Sequence, residues 1–164
     1  LQADVHSVPL PDASLDGAVC RLDAHHFRRP TEFLTEVYRL LKPGAWFLFV
    51  DTVGIEGDEQ ASKALDEFET IRDPSHVRDH LASEWKSWIA SSGFEVKEQR
   101  PLHHRYPLVS WMDRMSVAEP NRMLLSEILR NADDALRGYL QPEESNESEL
   151  SFLLHQTAIA AIRK

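Results

Sequence analysis

Cysteine, basic residues and long apolar runs are scarce in this sequence. Among its 164 residues Cys20 is the single cysteine, which excludes an internal disulfide framework and fits a reduced, cytoplasmic setting. There are 18 basic residues against 27 acidic ones, and the net charge of -9 argues against bulk binding to nucleic acid or anionic lipid. No apolar run approaches the ~20 residues that cross a bilayer. The length suits one domain with its own hydrophobic core.

The spacing of apolar residues predicts alternating strands and helices. Two apolar runs, 16–22 and the aromatic-rich 45–50, predict buried strands, and apolar residues at helical spacing between Thr31 and Leu41 predict a helix between them. The polar stretch 142–149 predicts a solvated loop. The remaining predicted elements are helices at 59–71 and 83–92, a strand at 94–98, a helical region at 107–140 and a last strand at 150–162. This order is typical of an α/β sheet whose strands are mostly parallel.

Three segments resemble a known protein family. They are 3–12, which contains Ala-Asp-Val and Val-Pro-Leu-Pro-Asp, then 15–27 with a paired histidine, and then 36–44, which ends in Arg-Leu-Leu-Lys-Pro-Gly. Together they resemble the class I S-adenosylmethionine-dependent methyltransferases, in particular the branch of the ubiquinone/menaquinone C-methyltransferases. The resemblance implies a three-layer, Rossmann-like α/β sheet, mostly parallel with an antiparallel last strand. It extends through Glu98, whereas 107–141 is similar only in kind, as a variable helical insert that covers the substrate.

The sequence departs from this family at its beginning. Members begin with a strand, a glycine-rich turn that approaches the cofactor, and an acidic residue that holds the ribose, and none of these has a counterpart here. We therefore expect residues 1–164 to form a single methyltransferase-like domain truncated at its N-terminus, processed or cut from something longer. The strand around Cys20 would then present an unpaired edge, which predicts a homodimer formed through that edge.

The resemblance implies S-adenosylmethionine as the cofactor and assigns four residues to it. The Asp4 carboxylate would accept from the adenine amino group, with Val5 packing nearby, unless Asp4 is only a surface acid. Arg21 lies at the end of a predicted strand, where α/β sheets bind ligands, and could orient a carboxylate or instead pair with a neighbouring aspartate. His25 would pack on the cofactor.

His26 is the candidate catalytic base. A histidine at the mouth of the site can accept a proton from an acceptor hydroxyl or acidic carbon, because its pKa lies near neutrality. Methyl transfer itself depends mainly on positioning and desolvation, so a base is needed only for an acceptor that loses a proton.

Five further residues are candidates for binding the methyl acceptor. Arg72, His76 and Arg78 could bind an anionic group, although a helix-end salt-bridge set with Asp73 and Asp79 is the simpler interpretation. Trp111 and Met115 could line an apolar pocket. His76 and His80 have the i, i+4 spacing of a metal pair, but no third ligand is evident, so we predict no metal.

The sequence thus predicts methyl transfer from S-adenosylmethionine to a small-molecule acceptor. It also predicts no nucleic-acid or membrane partner. The alternative is a non-catalytic, degenerate methyltransferase half that acts as a self-associating interaction module.

Overall fold

A mixed β-sheet forms the centre of the computed structural model, which describes residues 2–145 and 149–164. Its strands lie in the order β1-β2-β5-β3, and β4 pairs with β5. The pair β1 and β2 is parallel, with Cys20 opposite Phe49, whereas β5 is antiparallel to both β2 and β3. Consequently β3 runs in the same direction as β1 and β2, and the predicted sheet with an antiparallel last strand is confirmed. The strands are β1 (Leu15–Arg21), β2 (Leu41–Thr52), β3 (Phe94–Pro107), β4 (Glu143–Glu144) and β5 (Leu150–Arg163).

Helices connect the strands, and their ends follow local sequence signals. The first helix begins with Pro30, whose missing N–H costs nothing in the first turn. Asp58 and Asp133 cap two later helices by accepting hydrogen bonds from backbone N–H groups three residues on, at 2.9 Å each. The helices are α1 (Pro30–Leu40), α2 (Glu59–Arg72), α3 (Ala82–Ser91), α4 (Leu108–Asp113), α5 (Glu119–Asn131) and α6 (Asp134–Leu140), with a 3₁₀ turn at Ala24–His26.

Two hydrophobic clusters pack against opposite faces of the sheet. The first joins α1 and α3 to Phe47, Phe49 and Ile159. The second joins α2, α4, α5 and α6 to Phe152 near the start of β5. Because side chains alternate along a strand, Ile159 and Phe152 point to opposite faces. Helices therefore lie on both faces of the sheet, which gives three layers.

Part of one face carries exposed apolar side chains. Val19 of β1 and Trp46 and Leu48 of β2 are 56%, 50% and 37% exposed. The Trp46 indole lies directly over Gly17, where an added Cβ would stand 2.1 Å from a ring atom. Val19, Trp46 and Leu48 therefore form a candidate interaction surface. In the part of the chain described, every helix is too short or too polar to span a bilayer.

The structure extends two of the predictions. Strand β3 continues to Pro107 instead of ending at 98. It pairs with β5 from Phe94 to Pro107, with one bulge between Val96 and Glu98. The predicted solvated loop 142–149 contains the two-residue strand β4, and its residues 146–148 lie outside the described part of the chain. The helical region between β3 and β5 divides into three helices.

Candidate active site

Asp51 organises the turn that follows β1. Its side chain is fully buried at the carboxyl end of β2 and accepts hydrogen bonds from the backbone N–H groups of Asp23 and Ala24, at 3.1 and 2.6 Å. The other carboxylate oxygen lies 2.6 Å from Nδ1 of His25. The chain enters this turn through Leu22 in a left-handed conformation, with φ of 52°. A single carboxylate therefore holds both the turn and the imidazole that the turn carries.

The pairing with Asp51 determines the chemistry of His25. A carboxylate can only accept, so Nδ1 of His25 carries the hydrogen and Nε2 is left to accept or release a proton. Burial of the ring lowers the pKa of His25, but the hydrogen bond and charge of Asp51 outweigh it, and the net pKa is raised. The ring also stacks on His76, with ring centres 5.5 Å apart. This is the geometry of an oriented proton acceptor.

His26 lies beside His25 but has different partners. The two rings are 4.1 Å apart. Nδ1 of His26 donates to the carbonyl oxygen of Ser75 at 3.0 Å, and Nε2 lies 3.8 Å from a carboxylate oxygen of Asp73. His26 is therefore tied to the segment that follows α2.

Buried acidic side chains lie behind the two histidines. Thr52 donates to Asp79, and Asp66 accepts from Nε2 of His76 and from the N–H of Asp79, at 2.9 and 2.7 Å. Burial raises the pKa of Asp79, whose second oxygen has no hydrogen-bond partner among the described residues. Possible ligand atoms of Asp66, His76 and Asp79 lie within 4.8 Å of one another, so these three residues could hold a metal ion. The absence of a metal, as expected from the sequence, stays a prediction.

Glu69 and Arg72 lie one turn apart at the end of α2. Burial, together with the charge of Asp79, raises the pKa of Glu69. The Arg72 side chain donates from Nε to the Trp111 carbonyl oxygen at 3.0 Å, and its guanidinium lies 4.5 Å from the centre of the Trp111 ring. Arg72 therefore anchors α4 to α2 while its charge remains beside the site.

These groups surround a cavity of about 220 Å³. Five residues proposed from the sequence line it together, namely His25, His26, Arg72, Trp111 and Met115. Sequence reasoning missed the other polar lining residues. Thr52 follows the buried strand and could have been found by the rule that ligands bind at strand ends. The remaining ones, Glu69, Asp73, Tyr106, Arg114 and Gln156, come from helices, loops and the antiparallel strands, where no local pattern indicates a site.

The other five proposed residues lie outside this cavity. The Asp4 side chain is 60% exposed and accepts from the N–H of His6, and Val5 packs on the core beneath α1 and α3. Arg21 is exposed and pairs in register with Val50, on the sheet face that carries Trp46. His76 is buried against Asp66, and Arg78 lies 3.4 Å from Glu84 at the surface.

Known proteins resemble this chain in sequence. A family model described as a methyltransferase domain matches residues 1–49. The methyltransferase YcgJ of Bacillus subtilis, described as uncharacterized, is 28% identical over 164 residues, which cover 99% of this chain and 64% of that protein. Escherichia coli YafE is 32% identical over 120 residues, 72% of this chain and 56% of that protein. The chain thus spans less than two thirds of the length of these two relatives.

Solved structures resemble it across its full length. A Bacillus halodurans protein assigned as a methyltransferase has a TM-score of 0.90 at 28% identity, covering 99% of this chain and 76% of that one. The YcgJ structure has a TM-score of 0.86 at 29% identity, covering 100% of this chain and 70% of that one. These likenesses agree with the fold described above. In sequence and in fold the chain is thus similar to S-adenosylmethionine-dependent methyltransferases.

Proposed function

We propose that the protein transfers a methyl group from S-adenosylmethionine to a small organic acceptor that carries an anionic group and loses a proton in the reaction. The observation that carries this proposal is the His25–Asp51 pair at the carboxyl ends of β1 and β2, whose imidazole lines a cavity that Arg72 also lines. In open α/β sheets this edge is where ligands bind. The narrower likeness to ubiquinone/menaquinone C-methyltransferases stays a prediction.

Four residues of this chain would contact the cofactor. The Asp4 carboxylate is exposed, and its pKa is lowered chiefly by the hydrogen bond from the His6 backbone, so it is available as an anionic acceptor for the adenine amino group. Val5 would pack beside the adenine, and Arg21 and His25 would face the cofactor from the end of β1. The chain spans 64% of its YcgJ relative, and we propose that contacts beyond these four come from the part of the fold that it does not span.

The bound cofactor supplies an electrophilic sulfonium methyl group. Nε2 of His25 accepts the acceptor's proton, because Asp51 fixes Nδ1–H and stabilises the imidazolium that forms. The sequence assigned this role to His26, and both rings line the cavity. His25 is the better placed of the two because its partner is a buried carboxylate, whereas Nδ1 of His26 donates to the Ser75 carbonyl. We therefore place His26 as a second wall of the acceptor pocket.

The acceptor would be anionic and partly apolar. Arg72 and Arg114 bring two cations to the cavity, and Trp111 and Met115 bring apolar surface. The guanidinium of Arg72 favours a carboxylate or phosphate, which it can bind through two N–H groups. The predicted lid, 107–141, contains α4 to α6 and contributes three of these four residues. His76 and Arg78, paired with Asp66 and Glu84, would shape the pocket from outside it.

Two experiments test the proposal, first cofactor binding and then methyl transfer. Titration calorimetry of the purified protein with S-adenosylhomocysteine should give saturable binding. Methyl transfer from labelled S-adenosylmethionine is then measured with hydroxybenzoic acids and with the matching hydroxybenzamides, which lack the anion. We expect the rate of methyl transfer to be higher with the acids than with the amides.

Histidine variants then identify the base. We expect His25→Gln to lower kcat by about 100-fold or more, His26→Gln to lower it by less than about tenfold, and the exposed His104→Gln to leave it unchanged. Absence of cofactor binding would overturn methyl transfer by this chain alone. Equal transfer to acids and amides would overturn only the anionic acceptor.

The self-associating interaction module stays the second prediction. The exposed side chains of Val19, Trp46 and Leu48 support a partner on this face, and β1 has β2 as its only strand neighbour in the described sheet. Sedimentation over a wide concentration range tests the homodimer through the edge near Cys20. A single monomeric species throughout would contradict it.

A further inference from the structure

A second cavity lies on the other side of the sheet from the proposed acceptor pocket. Its volume is about 420 Å³, within the range of small-molecule sites. Along β3 and β5, side chains point alternately to the two faces of the sheet. Tyr106 and Leu154 point to one face and line the acceptor pocket. The cross-strand pair His103 and His155 points to the other face and lines the second cavity. Methyl transfer as proposed above makes no use of it.

Hydrogen bonds fix which nitrogen atoms carry hydrogen in the two cavity histidines. Nε2 of His155 lies 2.7 Å from the Tyr139 carbonyl oxygen, which can only accept, so this nitrogen is the donor. Nδ1 of His155 lies 3.0 Å from Nδ1 of His103. Burial and the neighbouring His103 lower the pKa of His155, which favours its neutral form. Neutral His155 then accepts at Nδ1, His103 donates from Nδ1, and Nε2 of His103 is left as a free hydrogen-bond acceptor.

Rigid neighbours hold this arrangement in place. The His155 ring stacks on Tyr139 with ring centres 4.0 Å apart, and the Tyr139 hydroxyl donates to the carbonyl oxygen of Val53. Four residues before His103 on β3, the amide nitrogen of Gln99 donates to the Ala82 carbonyl oxygen and to the Thr157 hydroxyl, at 3.0 and 3.1 Å. The side-chain donors of Tyr139, His155 and Gln99 are therefore already engaged within the protein.

The charge of the lining narrows the class of ligand. Glu56 contributes an anion, and none of the described lining residues is a lysine or arginine. Val53, Ile55, Ala82 and Pro101 supply apolar wall. An anionic ligand would meet repulsion and no counter-charge, whereas an apolar molecule with a hydroxyl group can bury its body and donate to the histidine.

We propose that this cavity is a second ligand site, which binds a small, uncharged, apolar alcohol or phenol by accepting its hydroxyl hydrogen at Nε2 of His103. The site lies on the opposite face of the sheet from the methyl-transfer pocket, with Gln156 lining both cavities, and it does not depend on that activity.

Three probes of similar size test the site by NMR titration of the purified protein. They are 2-naphthol, 2-methylnaphthalene, which lacks the donor, and 2-naphthoate, which is anionic. We expect 2-naphthol to bind about tenfold more tightly than 2-methylnaphthalene, the value of one hydrogen bond, and 2-naphthoate to bind most weakly. Intermolecular contacts should involve Val53, Pro101 and Tyr139.

Matched variants isolate the histidine. His103→Phe keeps an aromatic ring and should abolish the preference for 2-naphthol, whereas His104→Phe makes the same change one position along, on the other side of the strand, and should keep it. Equal affinity for 2-naphthol and 2-methylnaphthalene, no binding of either, or contacts with Trp111 and Met115 instead would each overturn the proposal. So would an equal loss of preference in the two variants.

Discussion

Nδ1 of His25 lies 2.6 Å from Oδ1 of Asp51, and the second oxygen of Asp51 receives the backbone N–H groups of Asp23 and Ala24. The carboxylate thus ties the end of one parallel strand to the loop that follows the other. Because Asp51 is fully buried, its position varies little, and its hydrogen bond holds the His25 imidazole in a fixed position. A site built in this way needs little reorganisation when a proton moves.

Asp51→Asn is expected to lower the pKa of His25, because the imidazolium loses its anionic partner. In the native protein the pKa of His25 is raised, so the pair stabilises the fold fully below the ordinary value of 6.5. This contribution is lost as the pH rises through the raised folded value. NMR titration of the ring measures the shift, and Asp16→Asn, an exposed carboxylate paired with Lys42, is the control. An unchanged pKa in Asp51→Asn would contradict the assigned pairing.

Glu69→Gln is expected to stabilise the protein at alkaline pH. Burial raises the pKa of Glu69 above its ordinary 4.5, so the unfolded chain releases this proton more readily than the folded one. The free energy of unfolding therefore falls as the pH rises from about 4.5 toward the raised value, and glutamine removes that fall. Urea unfolding at pH 5 and pH 9 should show a gain of about 1 kcal/mol or more at the higher pH. The exposed Glu67→Gln in the same helix should change neither value.

Two glycine-to-alanine changes are expected to have opposite effects on stability. A Cβ at Gly54 would stand 2.6 Å from the backbone oxygen of Asp79, so Gly54→Ala should displace that segment and cost about 1–3 kcal/mol. Gly138 lies within α6 with open space around it, so Gly138→Ala should add about 0.5–1 kcal/mol. Chemical denaturation measures both. Equal effects of one sign would show that the contact at Gly54 is absent.

Arg72→Lys is expected to loosen α4 from α2. Lysine cannot reproduce both the Nε donation to the Trp111 carbonyl and the planar contact with its ring. Hydrogen exchange of 108–113 should become faster, while exchange in α1 stays as in the native protein. Arg100→Lys, at an exposed position of β3, provides the matched control. Unchanged exchange in α4 would mean that packing of Trp111 alone holds this helix.

Much of the fold could be predicted from local patterns. The apolar runs around Cys20 and Phe49 indicated adjacent buried strands, and the structure pairs these two residues. The far part of β3 was missed because its side chains are polar on both faces, for example at Arg100 and His103, and main-chain pairing with β5 holds it. Periodicity cannot detect a strand of this kind.

The site residues that follow a strand could be predicted from the sequence, whereas those brought together from distant segments could not. His25 and His26 come directly after β1, so a strand-end rule finds them. The role of Asp51 depends on two strands brought together across 26 positions, and the His103–His155 contact spans 52. Contacts between side chains so far apart in the sequence depend on how the strands pair with one another. The pattern of a single segment does not determine that pairing.

The half-exposed indole of Trp46 is a natural optical reporter. Trp85 and Trp111 are 1% and 2% exposed and Trp88 is partly buried, so Trp46, at 50% exposed, should contribute most to the red-shifted, acrylamide-quenchable part of the fluorescence. Any polypeptide that settles over Gly17 and Leu48 would shift that emission to the blue and shield it from the quencher. Assembly on this surface can therefore be followed in real time without a label.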